Sequence, residues 1–146
     1  MKILIDTNIL ISAALFPNGV AAKAYSKAVT YPSKGVICDW SIDELNRVFN
    51  RKFPDRIPLL NQFLAMISTS VEIIPTPIDE VLDELKIRDI KDRPILRSAQ
   101  SAGIDLLLTG DKDFLESGVK RPLIVSPSFF LASFDFLEHL VLQVIG

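Results

Sequence analysis

The feature that most constrains this chain is the uninterrupted apolar run Ile3-Leu4-Ile5, which ends at Asp6. Such a run, rich in β-branched residues, is typical of a strand buried on both faces, as in the centre of a parallel sheet. A second apolar run begins at residue 104 and is followed by Thr109 and Asp111. In open α/β sheets, ligands bind outside the carboxyl ends of the strands. We therefore expect Asp6 and Asp111 to lie at the same edge of one sheet.

Strand-like and helix-like segments alternate along the chain. This alternation favours right-handed crossovers and a parallel sheet covered by helices on both faces. The predicted fold class is therefore α/β, with about five strands. The other strands are predicted at residues 36–38, 71–74 and 123–125, and helices at residues 7–16, 20–30, 41–52, 55–68, 78–85, 94–102 and 127–134.

Composition limits the classes of protein that this chain can belong to. A length of 146 residues and a hydrophobic fraction of 49% fit one domain with a well-filled core. No apolar stretch approaches the roughly 18 to 20 residues of a membrane-spanning helix, so we expect no membrane residence. The strand pattern starts at Lys2, which leaves no room for a signal peptide, and the single cysteine, Cys38, excludes an internal disulfide. These features predict a cytoplasmic protein.

Net charge gives no clear indication of a nucleic-acid partner. A net charge of −2 does not indicate a basic binding surface. It does not exclude one either, because a cluster of carboxylates lowers the net charge while basic residues elsewhere can still hold a phosphate backbone.

Four acidic residues are the candidate site: Asp6, Glu44, Asp92 and Asp111. Each also has a purely structural interpretation. The three aspartates could be helix N-caps, and Glu44 lies three residues after Ser41, which is the spacing of a capping box. Taken together, however, four like charges at one sheet edge would repel one another strongly without a cation.

Carboxylate oxygens are ligands that Mg²⁺ and Mn²⁺ prefer in proteins. We expect Asp6, Asp92 and Asp111 to bind the metal, because strand-end carboxylates are held by rigid elements and converge. Glu44 is predicted to be a further catalytic carboxylate. Zinc is disfavoured, since His139 is expected on the surface and Cys38 in the core, and the absence of a glycine-rich phosphate loop argues against an NTPase.

The segments around these acids resemble the four acidic motifs of PIN domains. The resemblance extends from Lys2 to about Leu131 and is closest to the prokaryotic toxin branch, which is VapC-like. It implies a three-layer α/β/α sandwich and a Mg²⁺- or Mn²⁺-dependent ribonuclease. The motifs are Ile5-Asp6-Thr7-Asn8, Glu44-Leu45, the segment from Lys91 to Leu96 and the segment from Leu108 to Phe114.

By position, the resemblance implies that Asp6, Glu44, Asp92 and Asp111 are the acidic site. Asn8 and Thr109 are expected to give polar support or to contact substrate, and Asp113 is a further candidate acid. Many relatives carry another acid just before the third motif, where this chain has Lys91.

Basic residues near the predicted site are candidates for holding RNA. Arg93 is the better candidate for a phosphate contact. Arg47, Arg51 and Lys52 are interpreted mainly as a solvated helix end, where cations are favoured.

The resemblance also implies a small antitoxin partner. We expect a domain of residues 1–134 and a C-terminal tail of residues 135–146. The apolar tail predicts a homodimer, an antitoxin helix laid on apolar surface, or packing within the chain. The apolar residues at this end are Phe129, Phe130, Leu131, Phe134, Phe136, Leu137, Leu140, Val141, Leu142, Val144 and Ile145.

Other functions remain open at this stage. A phosphoacceptor receiver-like domain would need adjacent acids after the first strand and further residues that the sequence does not supply. A phosphatase with an aspartate nucleophile would usually have a second acid where Asn8 stands. A catalytically silent interaction module, or a housekeeping RNA-processing nuclease, would keep the same fold.

Overall fold

The computed structural model describes residues 1–145, with side chains up to Gln143. Its centre is one sheet of five parallel strands in the order β3-β2-β1-β4-β5. The predicted central parallel sheet is confirmed, and helices cover both of its faces. The strands are β1 (Lys2–Ile5), β2 (Lys34–Cys38), β3 (Glu72–Ile74), β4 (Leu106–Leu108) and β5 (Leu123–Val125).

Strand β1 is central because its side chains are apolar on both faces. Ile3, Leu4 and Ile5 are each fully buried. Side chains alternate across a strand, so Ile3 and Ile5 pack into one hydrophobic cluster while Leu4 packs into the other. The apolar run at the amino end of the chain therefore divides the core into its two layers.

The helices form these two layers around the sheet. The cluster of Ile3 and Ile5 receives residues of α1, α2, α3, α4, α7 and α8, and the cluster of Leu4 receives residues of α5 and α6. Within the described residues, no helix is long and apolar enough to cross a bilayer. The helices are α1 (Thr7–Leu15), α2 (Val20–Ala28), α3 (Asp39–Lys52), α4 (Ile57–Ser70), α5 (Arg93–Ser101), α6 (Lys112–Leu115), α7 (Pro127–Ala132) and α8 (Phe134–Ile145), with 3-10 turns at Pro54–Arg56, Leu82–Lys86 and Ile90–Asp92.

The strand order also excludes the receiver-like alternative. Receiver-like sheets have the order 2-1-3-4-5, whereas here β1 lies between β2 and β4. The chain runs outward from β1 to β2 and β3, then returns to β4 on the other side of β1. The order of strands therefore reverses between β1 and β4.

Helix α3 begins earlier than the sequence predicted. It starts at Asp39, with Cys38 in the N-cap position, so Ser41 lies inside the first turn. The interpretation of Ser41 and Glu44 as a capping box is therefore wrong. Glu44 lies in the second turn of α3, where its carboxylate is not required for capping.

The acidic helix predicted at residues 78–85 is also wrong. Only Leu82–Lys86 forms a turn of 3-10 helix. The cause is a buried ion pair: the Arg97 guanidinium contacts Glu84 through Nε to Oε2 (2.9 Å) and Nη2 to Oε1 (2.7 Å). Arg97 Nη1 also donates to the carbonyl of Pro77 at 3.0 Å. Arg97 therefore fixes this connection in a non-helical path against α5.

The C-terminal tail is helical from Phe134 to Ile145. Leu137 and Val141, one turn apart, are buried, while Phe136 and Leu142 are 61% and 67% exposed. Phe134 meets Phe130 edge-on, with ring centroids 5.5 Å apart. The side chains of Val144 and Ile145, and Gly146, lie outside the described residues. An interface on residues 135–146 stays a prediction.

Candidate active site

The candidate site lies where the order of strands reverses. Asp6 directly follows β1, and its amide donates to the carbonyl of Leu108 at 3.0 Å, so the β1–β4 ladder continues to the acid itself. Asp111 follows three residues after β4. In open α/β sheets, ligands bind in the crevice at such reversal points. The topology therefore places both acids where a ligand is expected to bind.

The Thr109 hydroxyl links these two acids. Asp111 N donates to Thr109 Oγ1 at 3.0 Å, and Thr109 Oγ1 donates to Asp6 Oδ2 at 2.7 Å. Thr109 is fully buried and Asp6 is only 2% exposed. The threonine therefore fixes the orientation of the Asp6 carboxylate and its distance from the Asp111 backbone.

Burial makes Asp6 an unusual carboxyl group. Burial raises its pKa to about 7, and the charges of Glu44 and Asp111 act in the same direction. The Thr109 hydroxyl opposes this shift by stabilising the ionised form. Near neutral pH, Asp6 therefore lies close to the midpoint of its ionisation when no cation is bound.

The other two predicted acids lie close to Asp6 and Asp111. The charge of Glu44 reaches Asp6 from α3. Asp92 is half-buried immediately before α5. Burial raises the pKa of Asp92, and so do its hydrogen-bonding contact with Asp111 and the charges of Asp6 and Asp111. The structure thus places Asp6, Glu44, Asp92 and Asp111 close enough for their charges to interact.

Helix capping accounts for only one of the three aspartates. Asp6 and Asp92 occupy N-cap positions, yet neither side chain accepts the capping hydrogen bond. Asp111 does cap α6, through Oδ1 to the amide of Asp113 at 2.9 Å. Capping therefore does not account for the Asp6 and Asp92 carboxylates.

A second group of acids shares Asp92. Carboxylate oxygens of Asp89, Asp92 and Asp113 lie within 4.8 Å of one another. Sequence reasoning named Asp113 and missed Asp89. Asp89 and Asp92 are three residues apart on a 3-10 turn, where side chains at this spacing eclipse each other. That spacing is the signal that could have identified Asp89.

The two groups differ in how their acids are balanced. Arg88 pairs with Asp113 through Nη2 to Oδ1 at 2.7 Å. In contrast, Asp6, Glu44, Asp92 and Asp111 take part in no ion pair within residues 1–145, whose ion pairs are Lys86–Asp83, Arg88–Asp113 and Arg97–Glu84. A set of oxygen donors that lacks a basic partner, and in which the pKa values of Asp6 and Asp92 are raised, fits a hard divalent cation.

The predicted substrate-binding residues are placed differently from one another. Asn8 is exposed in the first turn of α1. Arg93 is half-buried, and its Nε donates to the Ile87 carbonyl at 3.0 Å. Thr109 is enclosed and engaged by two acids, which favours polar support over substrate contact. Cys38 is buried and His139 is exposed, as expected.

The chain is therefore an α/β protein with acidic side chains gathered where the strand order of its parallel sheet reverses. The model of the PIN domain family matches residues 2–113 of this chain. The chain therefore belongs to the PIN domain family.

Individual relatives support the same fold. The chain is 28% identical over 120 residues to the uncharacterised protein MJ1680 of Methanocaldococcus jannaschii, covering 79% of this chain and 74% of that protein. It is similar to a chain of VapBC2 from Rickettsia felis, bound to promoter DNA, with a TM-score of 0.65, 16% identity and coverage of 86% and 98%. It is also similar to VapC20 of Mycobacterium tuberculosis, described as a toxin that cleaves the sarcin-ricin loop. That match has a TM-score of 0.59, 18% identity and coverage of 80% and 95%.

Proposed function

We propose that this protein is a divalent-metal-dependent ribonuclease that hydrolyses RNA phosphodiester bonds, with Asp6, Glu44, Asp92 and Asp111 as its acidic site. The observation that carries the proposal is the convergence of these acids without a basic partner, with the pKa of Asp6 raised to about 7. Membership of the PIN domain family and the similarity to VapC20 support it.

In this proposal, Asp6, Asp92 and Asp111 hold Mg²⁺ or Mn²⁺. A bound cation would neutralise the carboxylates and stabilise the charge that develops on the reacting phosphate. Asp92 is central because its carboxylate belongs both to this trio and to the group with Asp89 and Asp113.

The side chains of this chain have distinct roles in the proposal. Thr109 orients Asp6 through the 2.7 Å hydrogen bond. Glu44 faces the reacting centre from α3, where its carboxylate can accept a proton from the attacking water. Arg93 and Asn8 are assigned to the RNA substrate, with Arg93 contacting phosphate.

A protein partner completes the proposal. The chain is similar to VapBC complexes from Rickettsia felis and Salmonella typhimurium. We therefore assign this nuclease to a toxin–antitoxin pair in the cytoplasm, held inactive by a small antitoxin. The exposed apolar side chains of α8, Phe136 and Leu142, support a homodimer or an antitoxin contact.

Cleavage of RNA by the purified protein tests the proposal. We expect cleavage in MnCl₂ or MgCl₂, none in EDTA, and none with Asp6→Asn in any buffer. Asp6→Asn should leave the melting temperature equal or higher, because the amide removes a buried charge while keeping the shape of the side chain. Contaminating nuclease would cleave equally in the Asp6→Asn preparation, so that variant is also the control.

The alternative is a catalytically silent interaction module whose acids receive basic side chains of a partner. It would bind a basic partner in EDTA and leave RNA intact in MnCl₂. A housekeeping nuclease would cleave RNA, have no antitoxin beside it, and be tolerated on overexpression.

A further inference from the structure

Helix α3 carries an aromatic side chain and two basic side chains on the same side as Glu44. Trp40, Glu44, Arg47 and Arg51 are spaced four, three and four residues apart. At 3.6 residues per turn they lie within about 60° of one another around the helix axis. Ser41, Leu45 and Phe49 form the buried face of the same helix. The stripe from Trp40 to Arg51 is therefore separate from the face that packs on the core.

Trp40 anchors this stripe at the acidic site. Its indole Nε1 donates to the carbonyl of Lys91 at 3.1 Å, one peptide bond before Asp92. The ring is partly buried and packs against the hydrophobic cluster that contains Leu4. The hydrogen bond and this packing hold a large aromatic ring at a fixed position beside the acids.

Arg47 lies over this ring. Its Cζ atom is 5.5 Å from the ring centroid. Arg47 and Arg51 are exposed, and neither takes part in an ion pair within residues 1–145. A cation held over an aromatic ring at an exposed site is only weakly bound, and stacking of a base on such a ring is typically stronger.

An acidic site creates a need for such a surface. The carboxylates repel the phosphate backbone of RNA, so affinity must come from neighbouring cations and from stacking. Trp40 and Arg51 are about 16 Å apart along the helix, which is enough for a few nucleotides. The stripe begins at the acids, so a strand held along it would present a phosphate to them.

We propose that the Trp40–Arg47–Arg51 stripe binds single-stranded RNA next to the phosphate that is cleaved. An unpaired base stacks on Trp40 in place of the Arg47 guanidinium, which moves to the adjacent phosphate, and Arg51 holds a phosphate further along. In a duplex the faces of each base are covered by the neighbouring base pairs, so Trp40 can stack only on an unpaired base. This inference rests on the proposed nuclease function and names the surface that holds its substrate.

Trp40 is the single tryptophan of the chain, so its fluorescence reports on the stripe directly. The experiment titrates full-length Asp6→Asn protein in MgCl₂ with a short oligoadenylate. A duplex of oligoadenylate with oligouridylate is titrated in parallel. We expect saturable quenching by the single strand and little by the duplex. Binding detected by anisotropy of labelled oligoadenylate, without a change in Trp40 fluorescence, would overturn the inference.

Variants separate stacking from a structural role. Trp40→Ala should weaken binding roughly tenfold. Trp40→Phe keeps a stacking ring but loses the hydrogen bond to Lys91, so it should retain most of the affinity. If Trp40→Phe is as weak as Trp40→Ala, the ring merely positions the Lys91 segment, and the inference is wrong.

The adjacent lysine provides a matched control for charge. Arg51→Ala should weaken binding several-fold, while Lys52→Ala, about 100° away around the helix, should have little effect. If Arg51→Ala and Lys52→Ala weaken binding equally, RNA is held by general charge attraction, and the inference is wrong. Wild-type RNA cleavage is measured in parallel. Cleavage without Trp40 quenching would reject the stripe and leave the proposed function standing, whereas absence of both binding and cleavage would reject the proposed function as well.

Discussion

Thr109 donates a 2.7 Å hydrogen bond to Asp6 although the two residues are 103 positions apart in the chain. Because Thr109 Oγ1 accepts from the amide of Asp111, its own proton is directed at the Asp6 carboxylate. This bond lowers the pKa of Asp6 against the larger effect of burial. Thr109 therefore tunes the charge of the most deeply buried acid in the site.

Replacing Thr109 with valine should raise the pKa of Asp6 above its value of about 7. Valine keeps the shape but cannot donate, so the ionised carboxylate loses stabilisation. We expect the acidic limb of the pH–rate profile for RNA cleavage, measured at subsaturating Mn²⁺ so that protons and metal compete for Asp6, to move to higher pH. Thr109→Ser retains the hydroxyl and should keep the wild-type profile. Identical profiles for valine and serine would contradict this role.

The metal-free protein should become less stable as the pH rises from about 4 to about 7. The pKa of Asp6 is about 7 in the folded chain, against an ordinary value of 3.8, so in this range the folded state binds more protons than the unfolded state. The free energy of unfolding therefore falls by about 1 kcal/mol or more as the pH rises. The raised pKa of Asp92 has an effect of the same sign.

Urea unfolding at several pH values in EDTA measures this effect. MnCl₂ should restore stability at neutral pH, because a cation that binds only the folded state stabilises it. Asp6→Asn should flatten the pH dependence. A variant that keeps the full wild-type slope would show that other groups cause it.

Glu44→Gln should reduce RNA cleavage by about 10²-fold or more, the typical contribution of a general acid or base. The melting temperature should change little, since α3 begins at Asp39 and does not use Glu44 for capping. Asp43→Asn is the matched control, because Asp43 is exposed on the same turn and outside the site. Wild-type cleavage by Glu44→Gln would remove Glu44 from the catalytic set.

Metal binding should depend on Asp6 and Asp92 more than on Asp89. Calorimetry with MnCl₂ should detect weaker binding in Asp6→Asn and the largest loss in Asp92→Asn, whose carboxylate joins both acidic groups. Asp89→Asn should lose less. The opposite order would move the metal to the group of Asp89, Asp92 and Asp113. Anomalous scattering from a crystal soaked in MnCl₂ gives the position independently.

Arg97→Ala should lower the free energy of unfolding by about 3 kcal/mol, because it leaves Glu84 buried without its partner. The two side chains are 13% and 3% exposed. Lys86→Ala breaks the exposed pair with Asp83, whose side chains are 50% and 36% exposed, and should cost less than about 1 kcal/mol. Chemical denaturation compares the two variants. Similar values would mean that the buried pair adds no more than a surface pair.

Much of the fold could be predicted from local pattern, since apolar runs such as Ile3 to Ile5 have no stable location except the centre of a sheet. The path of residues 78–85 could not, because Arg97 imposes it from α5. The local composition of this segment is compatible with a helix. The Arg97 guanidinium donates instead to the Pro77 carbonyl and the Glu84 carboxylate, which holds the segment in another path.

The positions of Asp6, Asp92 and Asp111 could be predicted because each follows a strand or precedes a helix, whereas Glu44 lies inside α3 and was named mainly through the resemblance to PIN domains. Asp89 was missed because it lies in a connection whose shape depends on the 3-10 turn at Ile90–Asp92. The start of α3 was also missed. Asp39 and Trp40 are compatible with a loop or a helix, and contacts with residues distant in sequence determine which of the two they form. Asp39 Oδ1, for example, accepts from the Thr76 amide at 3.0 Å.

The direct pairing of β1 with β4 has a consequence for the order in which the candidate site is completed during synthesis. The ladder that ends at Asp6 and Leu108 joins two segments that are about a hundred residues apart, so β4 emerges from the ribosome well after β1. A nascent chain that has not yet released β4 from the ribosome has Asp6 but lacks Thr109 and Asp111. In the proposed function, the RNA-cleaving centre therefore cannot form while only β1 has been made, and the ribosome is not exposed to it before β4 has emerged.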